Sequence, residues 1–155
     1  MANLEPLIQS IPVAPLKLAS LEGCRTLADQ VNNYLVSFRH ESPTNVGQDD
    51  SLQGYCADSY LLECECPRFG SGEGKGVLKE SVRGCDLFIM VDVTNYSLTY
   101  RVNGYENHMS PDNHYQDLKR IISAADGKAR RINVIMPFLY EGRQHKRSKR
   151  ESLDC

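Results

Sequence analysis

The chain has 155 residues, 41% apolar and 25% charged, the size and balance of one globular domain with a core of its own. A formal net charge of −2 excludes a global attraction to nucleic acid or to an anionic membrane surface. No apolar run reaches the roughly 20 residues of a membrane helix, and Met1–Pro6 lacks the basic start and long apolar stretch of a signal peptide, so a cytoplasmic protein is expected.

Residues 1–15 read as a loose arm that runs into a short strand, Leu16–Ala19, and a turn at Leu21–Cys24. Arg25–Phe38 carries Leu27, Ala28, Val31, Leu35, Val36 and Phe38 at helical spacing, which predicts a helix with those residues turned inward. Residues 40–55, rich in Ser, Pro, Asn, Gly and Asp, read as a surface-loop insertion. Tyr60–Cys64 reads as a strand, and Pro67–Gly76 as a glycine-rich projecting tip. The glycines of this tip could suggest a phosphate cradle, but a flexible hairpin is favoured over that reading, because Gly74-Lys75-Gly76 lacks the Ser or Thr that follows the lysine of a P-loop. Its glycines predict poor order unless a partner covers it.

Val77–Ser81 reads as a strand or a short turn. Cys85–Val93 is almost continuously apolar, the pattern of a parallel strand covered on both faces. Tyr96–Val102 alternates and meets Asn103-Gly104, which predicts an added hairpin. Pro111–Ala125 is helical, with Asp112 suited to the positive end of the helix dipole and Gly127 to the residue beyond its last turn. Ile132–Phe138 is the last strand, and its run Ile132–Met136 is expected to be as buried as Leu87–Val91. Strands alternating with helices predict an α/β fold with a mainly parallel sheet flanked by helices.

Six cysteines, Cys24, Cys56, Cys64, Cys66, Cys85 and Cys155, have no secretory context to make them a disulfide framework. Cys64-Glu65-Cys66 is C-x-C, and no second pair completes a tetrahedral ligand set, so free thiols and no metal site are expected. His108 and His114 are expected to serve the surface or the helix start rather than catalysis.

The last strand ends in Gly142-Arg143-Gln144-His145-Lys146-Arg147, and Arg143–Arg150 holds five cations in eight residues. Ligands of open α/β sheets bind beyond the carboxyl ends of the strands. Arg143 and Lys146 are therefore placed to meet an anion such as phosphate, by a planar fork and a mobile point charge. A solvated basic surface is the alternative reading of the same charges. Nucleic-acid binding is a weaker one, because the cluster has no interleaved aromatic residues. Glu151–Cys155 reads as the first turn of a further helix, as if the chain were the front part of a longer protein.

Three blocks together resemble the N-terminal half of the ribose-phosphate pyrophosphokinase family. They are Phe69-Gly70-Ser71-Gly72-Glu73 followed by Glu80-Ser81-Val82-Arg83-Gly84; Asp112-Asn113-His114-Tyr115-Gln116-Asp117-Leu118; and Ala129–Phe138 with Arg143-Gln144-His145-Lys146. The second block is similar to the family's N-D-N-L-M-E-L-L, and the third to its A-K-R-I-x-A-V-I-P-Y…A-R-Q-D-K. The resemblance is interrupted by the insertions at His40–Tyr55 and Tyr96–Met109.

That resemblance implies a phosphoribosyltransferase-like domain, here with an added hairpin. It also implies an enzyme that, with magnesium, transfers the diphosphoryl group of ATP to ribose 5-phosphate and yields phosphoribosyl pyrophosphate. In this family Phe69 would pack on adenine and Glu73 would read its edge, both lent to the neighbouring subunit of a homo-oligomer through the 69–76 loop. Arg143 and Gln144 would contact ATP, with Ser71, His145 and Lys146 as further candidates for ATP or phosphate. The family's ribose-phosphate loop, metal-binding segment and mobile catalytic loop have no counterpart among these residues. The C-terminal catalytic domain is thus expected to be absent, no catalytic residue lies within the chain, and the chain alone is expected to be inactive. Ser71 replaces the usual Asp or Asn, His145 the usual Asp, and Gly142 the usual Ala. These departures keep open a second reading, a non-catalytic regulatory or associated subunit.

Overall fold

A computed structural model describes residues 12–41 and 55–153. In chain order the elements are β1 (Leu16–Ser20), a 3-10 turn (Glu22–Cys24), α1 (Arg25–Glu41), β2 (Leu61–Leu62), β3 (Cys64–Glu65), β4 (Val77–Leu78), β5 (Asp86–Met90), β6 (Thr99–Val102), β7 (Tyr105–His108), α2 (Pro111–Ala124) and β8 (Arg131–Ile135). The main sheet is parallel, in the order β2-β1-β5-β8. Two antiparallel pairs, β3 with β4 and β6 with β7, stand outside it. The sheet has helices packed against it, as the alternating elements predict.

The central strand β5 explains the layering. Side chains alternate across a strand, so Leu87 and Ile89 enter one core with Leu118 and Ile121 of α2. Phe88 and Met90 enter the other, with Ala28 and Val31 of α1. Leu87 and Ile89 are fully buried. Each such side chain contributes about 1.5–3 kcal/mol relative to an exposed one.

The last strand corrects the expectation for Ile132–Met136. Ile132 and Met136 pack on the α2-side core, but Val134 is 42% and Ile135 38% exposed. β8 is an edge strand: Ile135 pairs with Met90 on the α1 side, where α1 packs mainly over β1 and β2, and Val134 pairs with Ile89 on the α2 side at the open edge of the sheet. On the α1 side, the buried Asp86 carboxylate accepts from Arg131 Nε at 2.9 Å and Nη2 at 2.5 Å, and from Asn133 Nδ2 at 2.9 Å. Polar partners satisfy there what a helix would otherwise have covered.

Several local expectations also change. α1 runs on through His40 and Glu41, Leu27 is 41% exposed, and Asn32 is buried because its Oδ1 accepts from Tyr60 N at 2.8 Å. The rest of the 40–55 insertion, like most of the 1–15 arm, lies outside the described residues. Tyr60–Cys64 is not one strand: Leu61–Leu62 joins the main sheet and Cys64–Glu65 pairs with β4. The hairpin at Asn103-Gly104 is present, with φ of 51° and 83°, both left-handed as a two-residue turn requires. Ser110 caps α2 by accepting from Asn113 N at 3.2 Å, with Pro111 in the first turn. Beyond α2, Asp126 enters the left-handed region before Gly127, with φ of 51° and 62°. Glu151–Leu153 is not helical; the Glu151 carboxylate accepts from Ser148 N at 3.0 Å.

Candidate functional site

Beyond the carboxyl ends of β5 and β8 lies an open groove of about 470 Å³. Val93 and Thr94 form one rim, Pro111 and Asp112 of the α2 start another, and Phe138 with Tyr140–Gln144 the third. The rim after β5 is held by Asp92, whose Oδ1 accepts from Thr94 N at 2.8 Å and Thr94 Oγ1 at 2.7 Å. Behind it, His114 is buried with Nε2 2.8 Å from Asn95 O, a structural role. His108 likewise stacks on Tyr96, with ring centroids 4.4 Å apart.

The segment after β8 turns sharply. Gly142 N donates to Leu139 O at 3.1 Å and Gln144 N to Glu141 O at 2.8 Å, while Glu141 takes φ of 56°. This turn brings Arg143 and Gln144 to the groove wall; of the two cations that the position beyond the strand end predicts there, Arg143 lines the groove and Lys146 does not. Arg143 is exposed; Gln144 Nε2 donates to Glu141 Oε2 at 2.7 Å. His145 and Lys146 are exposed and do not line the groove, and His145 Nδ1 lies 3.1 Å from Arg143 O.

Phe69 and Glu73 sit elsewhere. The tip is a tight turn in which Phe69 N donates to Glu73 O at 2.8 Å and Gly72 N to Phe69 O at 2.9 Å. Phe69 is 56% exposed, and Ser71 Oγ donates to Glu73 Oε2 at 2.8 Å. The expectation of a loosely ordered tip is corrected here. Its base packs on the domain, and a Cβ at Gly74 or Gly76 would collide with Arg120. These glycines permit close approach, where chain entropy alone suggested freedom. The groove that holds Arg143 and Gln144 includes neither Phe69 nor Glu73.

Two further features were not singled out in the sequence. Tyr140 lines the groove and donates its hydroxyl hydrogen to Asp112 Oδ1 at 2.5 Å. Asp117 of α2 is buried between Arg68 and Arg120. An acid on the inner face of a helix with Arg at i+3 signals part of that cluster; Arg68 is distant in sequence and gives no signal.

Among the described residues the thiols are free: Cys24, Cys56, Cys64, Cys66 and Cys85. Burial pushes Cys66 up to about 12 and Cys64 and Cys24 up to about 11, so each stays protonated near neutrality and none is an activated nucleophile. Among the described residues no group of three or more His, Cys, Asp or Glu side chains could hold a metal ion. No helix among them is long and apolar enough to cross a membrane.

Fold and groove together define a parallel α/β domain that presents a loop-built cleft at its strand ends. The sequence profile described as the N-terminal domain of ribose phosphate pyrophosphokinase matches residues 16–155. The chain belongs to that family. It is 30% identical over 135 residues to ribose-phosphate pyrophosphokinases of Corynebacterium ammoniagenes and Bacillus cereus, a match covering 86% of this chain and 31% of each relative. The chain thus spans about a third of the length of these relatives. The crystal structure of phosphoribosylpyrophosphate synthetase from Mycobacterium smegmatis superposes with a TM-score of 0.56 at 24% identity, over 89% of this chain and 35% of that one. At that identity the likeness is one of fold.

Proposed function

We propose that this chain is the ATP-site and oligomer-forming N-terminal domain of a ribose-phosphate diphosphokinase. The observation that carries this reading is the position of Arg143 and Gln144 on the wall of the groove beyond β5 and β8. A guanidinium there offers a fixed fork to phosphate oxygens, and the first turn of α2 adds its positive dipole end. Phe69, exposed on the tip, offers a stacking face to adenine, and Glu73 an acceptor for its amine. Since the groove does not include Phe69 or Glu73, the two pairs act together when the tip of one copy reaches the groove of another.

Magnesium enters as part of the Mg–ATP substrate. The donor set among the described residues does not fit a resident metal, and no step is assigned to one. The chemistry is positioning and charge neutralisation of a transferring phosphoryl group. Ribose 5-phosphate is the acceptor by family membership, and none of its contacts are placed on this chain.

One observation favours the second reading, a non-catalytic associated subunit: Ser71 Oγ already donates to Oε2 of Glu73, one of the two oxygens that would read adenine. Calorimetric titration of Mg–ATP into the chain, with Arg143→Ala and Phe69→Ala beside it, tests the ATP site. Sedimentation of the chain tests assembly. Absence of both binding and self-association would overturn the proposal.

A further inference from the structure

The tip is gripped by a part of the fold that interrupts the family resemblance. Arg68, directly before Phe69, has a side chain only 8% exposed. Its guanidinium forks onto Asp117 at 2.6 and 2.8 Å and lies 5.2 Å from the centre of the Tyr100 ring. Arg120 donates to the same Asp117 at 2.6 Å. At the far side of the turn, Gly72 has φ of 90°, and a Cβ there would lie 3.2 Å from Val102 Cγ2.

Tyr100 and Val102 are two apart on β6, so they share a face of the hairpin. That face meets the tip at two points, Tyr100 at its root and Val102 at its turn. The tip's own hydrogen bonds close the turn without fixing its direction relative to the domain. Two separated contacts, with the ion cluster anchoring the root, do fix a direction.

We propose that the β6–β7 hairpin is a brace that sets where Phe69 and Glu73 point, with Arg68 as the positioning residue joining tip, hairpin and α2. The brace thereby tunes the hold of the tip on an adenine base, an inference that rests on the adenine reading of the tip given above. Its ligand class is a base-bearing nucleotide; a bare polyphosphate has nothing for the tip to hold.

The chain contains no tryptophan, so Phe69→Trp places a single indole on the tip. The full chain with Phe69→Trp is compared with the same chain carrying Tyr100→Leu or Val102→Ala. Fluorescence anisotropy of the indole is expected to fall in both, with circular-dichroism melting little changed. Affinity for Mg–ATP is expected to weaken about threefold to tenfold, the scale of one misplaced aromatic contact. Affinity for inorganic tripolyphosphate should stay the same. Unchanged anisotropy in both variants overturns the brace. Equal weakening for ATP and tripolyphosphate overturns the positioning role, since it marks a general loss of structure. If Phe69→Ala leaves ATP binding intact while anisotropy still falls in the hairpin variants, the adenine reading of the tip fails and the brace stands.

Discussion

Tyr140 donates its hydroxyl hydrogen to Asp112 across 2.5 Å, and its ring lies parallel to that of Tyr115 with centroids 4.1 Å apart. This pair joins the turn after β8 to the first turn of α2, two walls of the groove. The carboxylate holds the phenol proton, so Tyr140 ionises above the ordinary tyrosine range.

A pH dependence follows. The folded state keeps this proton more tightly than the unfolded state does, so the stabilising contribution is complete below the ordinary tyrosine value of about 10. It is lost as pH rises through the higher folded value. Denaturation of wild type and Tyr140→Phe should therefore give a stability difference that shrinks above about pH 10. A difference independent of pH would mean that the hydrogen bond contributes nothing.

Asp117→Ala should be among the most damaging substitutions. It leaves the buried Arg68 without its fork partner and removes the acceptor of Arg120. Breaking a buried ion pair by removing one partner costs about 3–5 kcal/mol. Urea denaturation checks this; a loss below about 1 kcal/mol, the scale of a surface pair, would show that solvent reaches the cluster.

The glycines of the tip should separate by position. At Gly76 a Cβ would strike the Arg120 backbone, which cannot step aside, whereas nothing lies within 4 Å of a Cβ at Gly70. Gly76→Ala should cost about 1–3 kcal/mol, as overpacking does, and Gly70→Ala close to none. Thermal melts of the two variants decide it, and equal effects would mean that chain entropy governs the tip after all.

Arg143→Ala should weaken ATP binding about tenfold to a hundredfold, the cost of a lost charge-assisted hydrogen bond of about 1.5–3 kcal/mol. Lys149→Ala should change it little, because Lys149 is not part of the groove wall. Calorimetry on both variants reads the contrast; equal losses would mean a diffuse basic surface. In a coupled assay, these 155 residues by themselves should show no diphosphokinase turnover.

Much of the fold was legible because it rests on local pattern. β5 declared itself by an apolar run too long for a one-sided strand, and the β6–β7 turn by Asn103-Gly104, where both residues must take positive φ. The position of Arg143 beyond β8 was legible for the same reason: the strand, then a turn containing Gly142, then the cation lie in one short stretch of sequence. The exposure of Val134 and Ile135 was not. An edge strand and a central strand can have the same composition, and only helix placement separates them.

Periodicity, turn chemistry and the three family blocks, each carried by residues close together in the chain, determined the parallel α/β class, the groove-side place of Arg143 and the family. Tertiary structure alone decided which contacts join distant segments. Arg68 meets Asp117 forty-nine residues away, Tyr140 meets Asp112 twenty-eight residues away, and Val102 comes to rest beside Gly72. The physical reason is that such pairs owe their strength to burial and geometry that exist only once the chain has closed. A charged or aromatic residue read in sequence carries no mark of the partner that folding will bring to it.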